Sequence, residues 1–186
     1  MKKLLLAAVA AAAVAVQAET KIGVVDMVLL VKNHPNYESN KELLSSTDKD
    51  YQKKLDVLKA EGEKLQSEGK QLAEQLRSPM LAEKAKGDIE KKLMDLQQKL
   101  ISAEQRYRSE AMRFRQDLQD LEGRLLGTTT TDLRRRLAKF ADDKDYDIIL
   151  DKQAVPFVDK ALDVTDAVLE SMGVNPKDAK GRDEGK

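Results

Sequence analysis

The 186-residue sequence contains no cysteine and no tryptophan, and only four tyrosines, three phenylalanines and four prolines. Without cysteine there are no disulfides, no thiolate metal sites and no thiol nucleophiles. So few rings leave little material for a thick globular core. With 35% of the residues charged, the composition favours long helices washed by solvent. Basic and acidic side chains cancel, 33 against 33, which removes the bulk attraction expected of a nucleic-acid binder. No Gly-rich phosphate loop, His-Glu-x-x-His, Gly-x-Ser-x-Gly or Asp-rich calcium loop occurs. The one histidine, His34, precedes Pro35 at a helix break, where a loop or capping role is expected. Asp147 and Asp151 flank a strand and read as solvated strand ends rather than as a metal pair. No catalytic, cofactor-binding or metal-binding residue is therefore expected, and the chain does not read as an enzyme.

Long apolar runs are scarce too, and the single one opens the chain. Lys2 and Lys3 precede an unbroken apolar stretch from Leu4 to Val16, then Val16-Gln17-Ala18 supplies a small-x-small processing site before Glu19. This is the pattern of a signal peptide over residues 1–18, cleaved after Ala18. The stretch is too short to span roughly 30 Å of hydrocarbon. No cysteine follows the site, so a bacterial lipid anchor is excluded.

From Leu44 a seam recurs at steps of four and three: Leu44, Asp48, Tyr51, Leu55, Leu58, Gly62, Leu65, Gly69, Leu72 and Leu76. Charged residues fill the intervals, as in a coiled coil. The pattern stops at Ser78-Pro79, where Ser caps and Pro begins a second helix. A second seam follows through Ala85, Ile89, Leu93, Leu96, Leu100, Ala103 and Tyr107. It then either accepts Glu110 or slips to Ala111 before Phe114, Leu118, Leu121 and Leu125, the slip being a stutter. Two helices joined by so short a connection fold back antiparallel, giving a hairpin arm over residues 36–127 with its tip near 78–81.

Gly62 and Gly69 lie on the seam, and folding about Ser78-Pro79 places Gly87 near Gly69. Each costs roughly 1 kcal/mol of helix propensity relative to alanine. These glycines either permit close helix approach or form a bend in the arm. Met80 and Leu81 either close the end of the coiled coil or form an adhesive apolar tip.

The chain ends carry the β-branched runs. Strands are expected near 21–25, 146–150 and 154–158, with Pro156 restricting the last to an edge. Asp163 opens a final helix near 164–172, and residues 174–186 read as a loose tail. Three short strands cannot close a stable body alone. Residues 19–35 and 128–173 are therefore expected to pool with other copies, with Ile22, Val24, Ile148, Ile149 and Leu150 at the shared core. The fold class is mainly α: a long antiparallel coiled-coil hairpin projecting from a small β-rich oligomerisation body built from both chain ends.

Ile22-Gly23-Val24-Val25-Asp26, the charged hairpin, Tyr146-Asp147-Ile148-Ile149-Leu150-Asp151, Ala154-Val155 and Asp163-Val164-Thr165, in that order after a signal peptide, resemble the Skp (OmpH) family of periplasmic chaperones. The resemblance covers the chain from Glu19 to about Gly173. It implies a homotrimer with three helical arms around a cavity. It also implies ATP-independent holding of unfolded outer-membrane β-barrel proteins in the periplasm, with no nucleic acid bound and at most transient contact with the membrane surface. One departure stands out: studied family members are strongly basic, whereas residues 36–127 here carry 18 basic and 18 acidic side chains. Arg134-Arg135-Arg136 is the one clustered charge, bracketed by Leu133 and Leu137 at helical spacing as on a wet helix face. The competing reading is a periplasmic adaptor coiled coil that bridges envelope components.

Overall fold

A computed structural model describes residues 20–182. The expected signal peptide and its cleavage site lie outside the described residues. Strand β1 (Ile22–Val25) leads through Asp26 into helix α1 (Met27–Lys32). The Asp26 carboxylate accepts the Leu29 N–H at 2.9 Å and so caps that helix. After a break at residues 33–36 come α2 (Tyr37–Leu76) and α3 (Glu83–Lys144), then β2 (Ile148–Asp151) and α4 (Thr165–Ser171).

Helices α2 and α3 pack along each other as the antiparallel hairpin read from the sequence. Two details of its end differ. Ser78 and Pro79 sit inside the connecting turn, and α3 begins at Glu83 after an uncapped Ala82. At the other end α3 runs unbroken past residue 127 into the body. Its 62 residues give a rod of about 93 Å.

β1 and β2 pair in parallel, Ile22 opposite Ile148 and Val25 opposite Asp151. The expected third strand at 154–158 is absent. Asp151 accepts the Gln153 N–H at 3.1 Å and turns the chain into a single 3-10 turn, Lys152–Ala154. Pro156 then has no N–H with which to continue a ladder. The far side of β1 is instead met by Asp163, and Val164 N–H donates to Val24 O at 2.9 Å.

β2 starts two residues later than the β-branched pattern suggested because Tyr146 and Asp147 have other work. Asp145 adopts a left-handed conformation (φ 56°, ψ 42°) that ends α3, and Tyr146 N–H closes onto Ala141 O at 2.9 Å. Asp147 accepts the Lys21 N–H at 2.7 Å. Lys21 Nζ donates to Lys144 O at 2.6 Å and lies 4.2 Å from the Tyr146 ring centroid, fastening β1 to the end of α3.

Val25, Leu30, Leu133, Phe140, Val168 and Leu169 form a core under this sheet, contributed by every element of the body except β2. Each large side chain fully buried there is worth about 1.5–3 kcal/mol. One copy of the chain thus encloses a small core of its own. Residues 174–182, expected to trail loosely, fold back on it. Ala179 is buried, Asn33 and Lys180 exchange two hydrogen bonds (2.9 and 3.1 Å), and Lys180 Nζ meets Glu38 at 2.5 Å.

Candidate functional site

The arm is held by one narrow stripe. The expected seam of α2 is half-buried except at Asp48, which is exposed while Thr47 faces inward; Tyr37 and Asn40 at the root and Glu68 beside Gly69 are half-buried as well. On α3 both Glu110 and Ala111 are half-buried, so the seam widens there instead of choosing between them. Phe114, 4% exposed, stacks on Tyr51 with centroids 4.2 Å apart. Nearer the tip Glu61 meets Arg106 at 3.5 Å, and a Cβ built on Gly69 would lie 3.3 Å from Leu96. Leu96, not Gly87, therefore faces Gly69. The six-residue turn moves the fold axis toward the C-terminal side of Ser78-Pro79, and Gly87 lies closer to the tip with open space where a Cβ would sit. Gly62 borders a groove of about 350 Å³ with Leu58, Ala103 and Tyr107.

At the root, His34 is buried in the break between α1 and α2. Its Nε2 lies 3.0 Å from Asp132 Oδ2, and its Nδ1 accepts the Asn36 N–H at 3.2 Å. Asp132 also accepts Arg136 Nε at 2.6 Å and a hydrogen bond from Arg135. The Arg136 bond, then the His34 bond, hold the Asp132 carboxyl well below the usual carboxylate range, against the opposing effect of burial. Two of the three clustered arginines are thus spent on one acid. Arg134 instead lines a recess of about 700 Å³ on the body beside Val28, Leu137 and Leu150.

At the tip, Met80 is 94% exposed and Leu81 half-buried. The seam reading missed a second apolar line. Met94, Ile101, Met112 and Leu126 are all exposed, at 72, 49, 76 and 52%. Their steps of seven, eleven and fourteen residues return to the same side of a helix with 3.6 residues per turn. They form a stripe about 48 Å long on α3, off the seam. Its signal in the sequence is four apolar residues out of heptad phase with the seam.

Of the residues expected at a shared core, Val24 is buried inside this chain and Ile149 packs against the chain's own core. Ile22, Ile148 and Leu150 are exposed at 37, 43 and 41%. Among the described residues nothing pairs with the outer edge of β2. Such a bare edge is a template for another strand.

The Asp147 and Asp151 carboxylates each accept a backbone N–H, from Lys21 and Gln153. Among the described residues no group of three His, Asp or Glu is placed to hold a metal ion, and no helix is long and apolar enough to cross a membrane.

No curated protein matches the chain. The model of the OmpH-like outer membrane protein family matches it over residues 21–172, from the first residue before β1 to the end of α4. With both strands and the whole hairpin inside that match, the chain belongs to the OmpH-like family.

Proposed function

We propose that this protein is exported to the periplasm, assembles as a homotrimer and acts as an ATP-independent holdase. It binds unfolded outer-membrane β-barrel proteins and keeps them from aggregating before insertion. Membership of the OmpH-like family supports a periplasmic chaperone for outer-membrane proteins. The observation that carries the reading on this chain is the exposed stripe Met94, Ile101, Met112 and Leu126. Methionine is unbranched and polarisable and adapts to differently shaped apolar partners, as a surface for many clients requires. Spread along a rod, the four positions offer weak separate contacts whose sum is strong while each remains easily released. Release then needs no nucleotide, only a lower-energy destination in the membrane.

Assembly is supported by the free edge of β2 and by exposed Ile22, Ile148 and Leu150 beside it. Met80 and Leu81 would add a contact at the far end of each arm.

The test is the aggregation of a urea-denatured β-barrel protein on dilution, with the purified chaperone at stoichiometric ratio. Light scattering should be suppressed, and the folded form of the same client should not bind. Unaltered aggregation would overturn the holdase reading. Capture of a single folded envelope protein in its place would establish a bridging adaptor.

A further inference from the structure

The chain has one histidine, and it stands where the arm leaves the body. Its two ring nitrogens have opposite neighbours. A carboxylate only accepts, so the contact with Asp132 Oδ2 places the hydrogen on Nε2. A backbone amide only donates, so the contact with Asn36 N leaves Nδ1 bare. The ring is thus held as the neutral Nε2–H tautomer with both nitrogens satisfied. Asn36 is the residue that opens α2, and its own side chain makes no capping bond there.

Histidine is the side chain whose ordinary titration falls between pH 5 and 8. A proton arriving at Nδ1 sets two N–H groups against each other and leaves the Asn36 amide without its acceptor. Asp132 would attract an imidazolium, but it already carries Arg135 and Arg136, and Arg136 shares the same Oδ2 with His34. The other polar side chains lining the crevice beside His34, Asn36 and Asn40 with Thr128 and Thr129 from α3, are neutral. Lys32 lies against Gly181, and Glu38 is paired with Lys180. A crevice of about 330 Å³ lies beside His34.

We propose that His34 makes the arm root a pH-sensitive joint, protonation at Nδ1 releasing the Asn36 N–H and loosening the start of α2 from α3. In mild acid the arm swings more freely on the body; at neutral pH it is braced.

The test is a nuclear magnetic resonance titration of the native assembly between pH 8 and pH 5. With one histidine in the chain, the ring Cε1–H signal of an untagged protein reports this site alone. The Asn36 amide signal should move with the same midpoint as the ring. Hydrogen-exchange protection over residues 36–40, corrected for the intrinsic pH effect, should fall several-fold across it. In His34→Asn, the Oδ1 can accept the Asn36 N–H without titrating, and both pH responses should vanish. A ring that titrates with the Asn36 amide unmoved overturns the proposal. So does protection that rises in acid, or a ring that takes up no proton over the range. Should His34→Asn fail to fold, the wild-type comparison of ring and amide decides alone. No client enters these measurements, so their outcome is independent of the holdase reading.

Discussion

The Tyr51 ring lies flat on the Phe114 ring, 4.2 Å between centroids and 4° from parallel, and this pair ties α2 to α3 across the seam. Tyr51 O–H donates to Asp117 one turn along at 3.4 Å, so a slip in either direction separates both contacts. Phe114→Ala should therefore destabilise the arm by about 3–5 kcal/mol, the usual cost of emptying a buried aromatic site. Urea unfolding followed by helical circular dichroism measures this, and the body should survive at urea concentrations that melt the arm.

The glycines of the arm should respond unequally. Gly62 and Gly87 have open space where a Cβ would lie, so alanine at either should stabilise the arm by about 0.5–1 kcal/mol. At Gly69 the added methyl meets Leu96 at 3.3 Å, and the gain should shrink or reverse. If these positions also bend, spin labels on α2 and the body should report narrower distances in the Gly62→Ala, Gly87→Ala double variant. The chain lacks cysteine, so introduced labels attach only where placed.

Stability should fall in acid, by a mechanism centred on Asp132. Its carboxyl is held below the ordinary range in the folded chain, so the unfolded chain takes up a proton first as pH drops. The contribution is complete above the ordinary carboxylate pKa of about 4 and is lost as pH falls below it toward the folded value. Asp163 acts in the same direction: burial raises its carboxyl, but bonds from Thr165 and Lys152 outweigh that. Asp132→Asn should lower the urea midpoint at pH 7 and flatten its decline toward pH 3.

Assembly should depend on the exposed side of β2. Ile148→Asp with Leu150→Asp alters two side chains that the chain's own core does not enclose. Light scattering should show the mass falling toward that of one chain while helical signal is retained. Ile149→Asp would be a poorer probe, since Ile149 packs against the internal core and its loss confounds folding with association.

Client holding should depend on the α3 stripe. Met94→Ser with Met112→Ser leaves seam and register intact, because both side chains are largely exposed. Suppression of β-barrel aggregation should weaken several-fold with unchanged native mass and helicity. An undiminished effect would move the client surface elsewhere, with Met80 at the tip the next candidate.

The arm was legible in the sequence because a coiled coil writes its packing as a period. Leu55, Leu58, Leu65 and Leu72 face inward as their spacing requires. Asp48 departs from it, since a heptad count cannot see that Thr47 offers the better apolar fit near the root. The ends were harder. Ala154 to Val158 has strand composition, but Asp151 caps a tight turn and Pro156 withholds a donor, so local hydrogen bonding overrode propensity. The docking of Lys180 onto Asn33 and Glu38 joins residues more than 140 positions apart, which no local pattern encodes. His34 read as a loop or capping residue; in the structure its ring accepts the Asn36 amide, and its bond to Asp132, 98 residues away, was equally out of reach.

The two rods of the arm meet the body differently, and this sets how load travels. α3 enters the core as one continuous beam, so a sideways push on the tip arrives undivided at Leu133 and Phe140. α2 is interrupted at residues 33–36 and reaches the body only through that break. The hairpin is therefore anchored unequally, through a continuous helix built into the core on one side and through a four-residue break on the other.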